Sequence, residues 1–374
     1  MNPVMCVVGA RPNFIKMAPI LRAMAAHQPP IPNVLVHTGQ HYGSDMNERL
    51  FKALSLPQPD VNLEVGSGNH AQQTADVMRR FDPLLDTYQP SCIAVVGDVN
   101  STLACSLVGC KRGVPVVHVE SGLRSYDRTM PEEINRILTD QISDRLYTTE
   151  RSAEVNLGRE GVPQDRVVFA GNVMIDSVVF SLSLARSARE TLEKFDANVA
   201  LLQEPQGFGV VTLHRPSNVD DPAVLRAMLG VLREVAQRIP LVFTVHPRTH
   251  ASIARFGLAE LLEYTRLVLL PPLDYLEMLG LMAQARLVLT DSGGLQEETT
   301  ALGVPCLTLR DNTERHITVQ QGTNTLVGRD RRAILLAVEA VLQGRGKQGR
   351  IPECWDGHAA ERIVSDLYCW LQSQ

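Results

Sequence analysis

Short apolar runs alternate with helical stretches along the whole of this chain. In the first half the runs fall at residues 4–8, 34–37, 92–96, 114–119, 145–148 and 167–170. In the second half they fall at 209–213, 241–245, 267–270, 287–290 and 306–309. Between them lie amphipathic segments such as 15–26, 72–88 and 225–237. Strands of near-continuous apolar character that alternate with helices predict parallel sheets covered on both faces. Two such sets predict two doubly wound α/β domains. The break is expected near 171–176, which gives one domain over 1–172 and a second over 173–356. Residues 343–352 read as a loop, and 358–371 as a last helix.

Polar residues collect at the predicted carboxyl ends of the strands. They are Arg11, Gln40 with His41, Asp98, Glu120, His214, His246, Asp291 and Arg310. Ligands of open α/β sheets bind beyond those ends. Any one of these positions also fits an ordinary exposed loop, but the set as a whole predicts one cleft between two domains. The most polar junction lies within RLVLTDSGGLQEETTALGVPCLTLRDNTER, residues 286–315. An apolar run ends at Asp291, Ser292, Gly293 and Gly294 follow, and a helix opens with Gln296, Glu297 and Glu298. Two glycines at a helix start lower helix propensity. They make sense where a group must approach the backbone, and a helix N-terminus suits a phosphate. A second charged loop, reaching Arg315, follows the next strand. The arrangement reads as a site for a diphosphate sugar.

Composition narrows the class. A chain of 374 residues is long for one core, which again implies two domains. The hydrophobic fraction of 44% and charged fraction of 21% fit a soluble globular protein. A net charge of -5 argues against a nucleic-acid partner. No apolar stretch reaches the ~18 residues of a membrane span, and no basic segment precedes an apolar one at the start, so no signal peptide is expected. The seven cysteines form no CxxC pair and sit mostly in apolar runs. Buried reduced thiols and a cytoplasmic location are the expectation.

Several local patterns carry candidate chemistry, each with a plainer reading beside it. In GARPNFIKMAP, Arg11 and Lys16 could neutralise a diphosphate, or Lys16 could be a solvated helix residue. The motif is not GxGxxG, and no acidic residue ends the second strand, which argues against an NAD site. In VVGDVNSTLA, Asp98 could act as an acid or base or could cap the following helix. In HVESGLRSYDRTMPEEINR, Glu120 lies just past an apolar strand, where a purely structural carboxylate has little reason to be. Glu132 could belong to the chemistry or to a capping box with Thr129, and Glu133 with Arg136 could form a surface pair. His214 and Arg215 could bind phosphate oxygens. His246 fits that role or that of a satisfied structural histidine. There is no HExxH and no Cys/His cluster of zinc spacing, so no metal is expected. GxSxG is absent too.

Taken together, GARPNFIKMAP, TGQHY, VVGDVNSTLA, HVESGLRS, MPEEINRILTD, GNVMIDS, TLHRPSN, VHPRT, LTDSGGLQEE, GVPCLTLRDNTER and GTNTLVG resemble, in order and over nearly the whole chain, the non-hydrolysing UDP-N-acetylglucosamine 2-epimerases. The resemblance implies the GT-B architecture: two Rossmann-like domains facing across a cleft, with the last helix (357–374) packed back on the first domain. It implies interconversion of UDP-GlcNAc and UDP-ManNAc with no cofactor, neither NAD nor PLP nor metal. In that family UDP is eliminated across C1–C2 to give 2-acetamidoglucal, then adds back with inverted C2. Direct exchange of the C2 proton would be very slow, because C1 is an acetal carbon. By resemblance Asp98, Glu120 and Glu132 are the carboxylates of the reaction, and His214 belongs with the diphosphate. Arg11 and Lys16 match ligands of the first domain. Ser292, Gly293 and Gly294 match the phosphate-binding helix start, Glu298 the ribose ligand and Arg315 a further nucleotide contact. By the same resemblance, the segment from Leu273 to Met278 is expected to hold uracil by backbone and apolar contact. Gln40 and His41 match a second-site loop, and Arg136, Arg215 and His246 are further candidates.

The chain departs from the family pattern at a few positions. Asn13 stands where many members have Glu, and Met278 where some have an aromatic residue. Tyr42 and Gly43 replace an Arg-containing stretch, and His316 stands where Pro is common. The resemblance further implies a homodimer in surface-polysaccharide synthesis. A 2-epimerase of another UDP-2-acetamido sugar, such as the diacetamido uronic acid, is the close alternative. A GT-B glycosyltransferase, a hydrolysing epimerase and a non-catalytic nucleotide-sugar binder are the others.

Overall fold

The structure, a computed structural model, describes residues 1–39, 51, 54, 56–263 and 266–374. Among them, strands form two sheets, parallel throughout. The first sheet comprises β1 (Val4–Val8), β2 (Asn33–His37), β3 (Val61–Asn62), β4 (Cys92–Val96), β5 (Val116–Ser121), β6 (Arg145–Thr148) and β7 (Val167–Phe169). Its order is β3-β2-β1-β4-β5-β6-β7. The second comprises β8 (Gly209–Thr212), β9 (Leu241–Thr244), β10 (Leu267–Leu270), β11 (Leu287–Thr290), β12 (Cys306–Thr308) and β13 (Asn324–Leu326), in the order β10-β9-β8-β11-β12-β13. Both orders reverse direction beside the first strand, at β1/β4 and at β8/β11. That reversal opens a crevice at the strand ends in doubly wound sheets.

The apolar runs became strands because helices bury them from both sides. β1 and β4 are buried at every position. Met5, Val7, Ile93 and Val95 pack with Val77 and Phe81 in one core of the first unit. Val211, Phe243 and Leu289 pack with Leu225, Leu229 and Leu232 in the second. Two strands carried no readable pattern. β3 is Val61–Asn62 and β13 is Asn324–Leu326, each partly polar, so neither forms an apolar run. β13 is fixed by polar contacts: Asn324 Nδ2 donates to Gln296 Oε1 at 2.9 Å and to Thr318 Oγ1 at 3.1 Å.

The chain divides into two compact units, Met1–Phe180 with Glu353–Gln374, and Ser181–Pro352. Particular contacts keep the helix Val173–Leu182 with the first unit as far as Phe180. Ser177 Oγ donates to the Ile15 carbonyl. Asp176 accepts the backbone N–H groups of Ala359 and Ala360, at 3.2 and 2.7 Å, and so caps the last helix, Ala359–Gln372. That helix packs on Arg11–Ala26, and its Asp366 takes Arg145 of β6 as a forked partner.

The cysteines divide by position. Cys6, Cys92, Cys105 and Cys306 are buried, Cys354 is half-buried, and Cys110 and Cys369 are exposed, against the expectation of a buried set; all seven are free. Burial pushes the Cys6 thiol up to about 12 and that of Cys306 to about 11, which leaves both unreactive. Among the described residues no helix is long and apolar enough to cross a membrane.

Candidate active site

In the first unit the site begins where β1, β4 and β5 end. The turn after β1 is closed by Asn13, whose Oδ1 accepts the N–H groups of Gly9 and Ala10 at 3.2 and 2.9 Å. Its Nδ2 donates to the Val96 carbonyl at 2.9 Å, tying β1 to β4 across the reversal point. An acidic residue at Asn13 could not donate that bond. One turn further along the helix Arg11–Ala26 stands Lys16. It is not solvated: it is 4% exposed. Its Nζ lies 2.7 and 2.6 Å from the two carboxylate oxygens of Glu120, itself 2% exposed. Glu120 sits at the irregular end of β5, where the register with β6 shifts between Val119 and Ser121. Its φ is +70°, the left-handed region. A non-glycine residue there costs about 1–3 kcal/mol and persists where surroundings over-determine it. Here the buried ammonium does so.

Asp98 follows β4 through Gly97, whose φ is also +70°. A Cβ on Gly97 would lie 3.4 Å from both Asn13 Nδ2 and Lys16 Nζ. Asp98 does not cap the following helix. The cap of Asn100–Arg112 is Val99, with no side-chain bond. The Asp98 carboxylate instead takes Arg136 Nε and Nη2 on Oδ2, at 2.9 and 2.8 Å, and Asn135 Nδ2 holds the Asp98 carbonyl at 2.9 Å.

Two further expectations are corrected in the helix Pro131–Ile142. Thr129 and Glu132 form no capping box: the cap is Met130, and Thr129 bonds Asp127. Glu132 is half-exposed and pairs with no described residue. Glu133 and Arg136 are no surface pair. Both are buried, and Glu133 also accepts the N–H groups of Ser125 and Tyr126, each at 2.9 Å. Glu133 thereby orients the guanidinium that grips Asp98.

In the second unit the centre is Asp291, fully buried at the end of β11. It accepts the backbone N–H groups of His214 at 3.1 Å and of Arg215 at 2.9 Å. It also accepts Asn218 Nδ2 at 3.1 Å and faces His214 Nδ1 at 2.9 Å. The loop after β8 is therefore folded around one carboxylate. Burial pushes that carboxyl up, but the His214 ring and the two backbone donors outweigh it and hold it below its ordinary value. His214 keeps about a third of its side chain in solvent (35%), and its ring lies tilted against that of His246 with centroids 5.5 Å apart. His246 is itself a cap: Nδ1 accepts the Arg248 N–H at 3.2 Å. Burial, followed by the neighbouring His214, lowers its proton affinity.

The helix after β11 opens at Gly293, three residues before the expected start. A Cβ on Gly293 would lie 2.6 Å from Glu314 Oε1, so a side chain supplies the close approach that the glycine suggests. Arg310 Nη2 holds Glu314 at 2.9 Å. The Ser292 N–H bonds Thr290 Oγ1 at 3.0 Å, and Ser292, Gly293 and Gly294 remain half-exposed. Glu298 and Arg315 are buried, and Arg315 Nε lies 3.3 Å from Glu297. Leu273 is buried past the end of β10, with Met278 half-buried on the next helix, Tyr275–Gln284. Arg11 opens its helix half-exposed, and Arg215 is half-exposed. Gln40 and His41 lie outside the described residues.

The sequence pattern did not single out His118, Asp140, Arg124 or Asn218, and marked Asp291 only as a polar strand end. A signal was present for His118: it lies two residues before Glu120 in an otherwise apolar strand, the spacing of one sheet face.

Two Rossmann-like units, each with charged groups gathered at the reversal point of its sheet, define an α/β enzyme of GT-B architecture. A family model described as UDP-N-acetylglucosamine 2-epimerase matches residues 23–368. A UDP-N-acetylglucosamine 2-epimerase of Methanocaldococcus jannaschii is 39% identical over 364 residues, 96% of this chain and 97% of the relative. A UDP-2,3-diacetamido-2,3-dideoxy-D-glucuronate 2-epimerase of Pseudomonas aeruginosa is 39% identical over 367 residues, 97% of this chain and 99% of the relative. The crystal structure of the M. jannaschii UDP-GlcNAc 2-epimerase in complex with UDP-GlcNAc and UDP has a TM-score of 0.85 to this chain at 36% identity, covering 98% of one chain and 99% of the other. The chain belongs to the UDP-N-acetylglucosamine 2-epimerase family.

Proposed function

We propose that this protein interconverts UDP-N-acetylglucosamine and UDP-N-acetylmannosamine by eliminating UDP and adding it back. The observation that carries the reading is Glu120: a buried carboxylate in a left-handed backbone conformation, gripped by buried Lys16, at the end of the strand next to that of Asp98. In the forward half a carboxylate takes the C2 proton. The C2–H electron pair becomes the C1=C2 bond, and the C1–O pair leaves with UDP. In the return half a proton reaches C2 from the opposite face and a UDP oxygen bonds C1. Nothing is oxidised or reduced overall. Two proton donors or acceptors with different surroundings are what the two faces need. Asp98 beside Arg136 and Glu120 beside Lys16 supply them, and Glu132, with no described partner, is a third carboxylate of the reaction.

In the second unit His214, Ser292, Gly293 and Gly294 hold the departing diphosphate, with Glu298 and Arg315 on the nucleoside. Backbone N–H groups at a helix start stabilise that developing charge with little reorganisation. Leu273 and Met278 hold the uracil, and Arg11 contributes a cation from the first unit.

The test is proton NMR of the purified protein with UDP-GlcNAc in deuterated water, without added cofactor. UDP-ManNAc carrying deuterium at C2 is expected. No conversion, with UDP still bound, removes this substrate. The second reading, a UDP-2,3-diacetamido-2,3-dideoxyglucuronate 2-epimerase, is favoured by the equal 39% identity of the Pseudomonas relative. The same measurement with that sugar decides it.

The proposal extends to a cytoplasmic homodimer that supplies a precursor for surface polysaccharide, supported by resemblance to the family. Sedimentation velocity should show a species of twice the chain mass, and a monomer at all concentrations would remove the dimer.

A further inference from the structure

We propose that His118 and Asp140 form a buried clamp that sets the Asp98 loop and the Glu120 bend against each other. In this reading proton transfer at sugar C2 depends on the clamp while nucleotide binding does not. The inference rests on the proposed epimerisation. Neither residue is placed against substrate, so both are positioning residues.

The geometry links the two carboxylate loops through one ring. His118 Nε2 donates to the Gly97 carbonyl at 2.8 Å, and Gly97 is the residue immediately before Asp98. On the other side of the ring, Nδ1 lies 2.7 Å from Asp140 Oδ1. The second oxygen, Asp140 Oδ2, accepts the Gly122 N–H at 3.1 Å, two residues past Glu120. It also takes Arg124 Nη2 at 2.7 Å, and Arg124 continues outward to Glu160 through two bonds of 2.7 and 2.6 Å. His118 and Asp140 are both fully buried. The helix that carries Asp140, Pro131–Ile142, also carries Asn135 and Arg136, which hold Asp98 by its carbonyl and its carboxylate. One helix therefore holds Asp98 directly and the chain on either side of Glu120, at His118 and Gly122.

A buried ionic network is a poor way to gain stability alone, because well-packed apolar residues often do as well or better. Retaining one between two catalytic loops makes sense where their separation must be held. Displacements of about 1 Å can cost about 10²-fold in rate.

The experiment compares wild type, Asp140→Asn, His118→Gln and His118→Leu on UDP-GlcNAc. It measures kcat, KM, deuterium entry at C2 and UDP affinity by calorimetry, with thermal unfolding as the folding control. Asp140→Asn should lower kcat and deuterium entry together by about 10²-fold, with KM and UDP affinity unchanged. His118→Gln, which still offers Gly97 a donor, should retain more activity than His118→Leu, which offers none. Wild-type kcat in Asp140→Asn overturns the clamp. So does a loss of kcat matched by an equal loss of UDP affinity, since that marks general scaffolding. If Asp140→Asn does not fold, the His118 pair decides, and equal activity in the two overturns the clamp. A wild type inert on both UDP-GlcNAc and the diacetamido uronate overturns the proposed function, and the clamp with it. An active wild type with an equally active Asp140→Asn overturns the clamp alone.

Discussion

Glu120→Gln is expected to lower kcat by about 10²–10⁴-fold, the usual contribution of a general acid or base, while UDP still binds. The amide keeps the shape of the side chain but cannot take a proton at working pH. The substitution also removes the carboxylate paired with Lys16, whose ammonium is 2.7 Å away and almost wholly buried. Removing one partner of such a pair can cost about 3–5 kcal/mol. A fall in thermal stability is therefore expected alongside the loss of rate, and it must be separated from it. The double variant Lys16→Met with Glu120→Gln does so. It removes the stranded charge, so the melting temperature should recover relative to Glu120→Gln while turnover stays lost. Recovery of turnover with stability would show that Glu120 acts on folding alone, and the catalytic assignment would fall.

Asp291→Asn should produce the second large effect, in the other unit and on a different quantity. Asp291 gathers two backbone N–H groups, Asn218 and the His214 ring around one carboxylate. An asparagine presents one acceptor and one donor to a site that offers donors. Hydrogen bonds to a charged group contribute about 1.5–3 kcal/mol each. Loss of one that orders the His214 loop should weaken UDP binding by about 10–100-fold, read by calorimetry.

The same residue sets an acid limit. Its folded carboxyl is held below the ordinary value despite burial, by His214 and the backbone donors. A depressed acid contributes stability that is fully present above its unfolded value, about 3.9. That contribution is lost as pH falls through the lower folded value. Urea midpoints of the wild type should therefore fall below about pH 4, and those of Asp291→Asn should fall less steeply. Equal acid slopes would show that another group controls the limit.

Much of the fold was legible because parallel strands buried on both faces leave long apolar runs, and those runs located β1, β4, β6, β10 and β11 closely. The short edge strands β3 and β13 were missed for the complementary reason: each is part polar, Val61–Asn62 and Asn324–Leu326, and forms no apolar run. Within the site, Glu120 stood out because a carboxylate at the end of an apolar strand has no ordinary local use. Glu133 and Arg136 misled, since their i,i+3 spacing is the same for a surface pair and for a buried one. Asp98 read equally as a cap and as an acid or base; a guanidinium from another helix takes its carboxylate, which removes the cap.

The sequence by itself determined the two-unit α/β organisation, the strand ends at which polar residues gather, and the family, because each is written in local order along the chain. Only the tertiary structure decided which polar groups meet. Lys16 reaches Glu120 across 104 positions, Arg136 reaches Asp98 across 38 and His214 reaches Asp291 across 77. Those pairings depend on the order of strands in each sheet, and strand order is set by long-range packing that no local pattern of residues encodes.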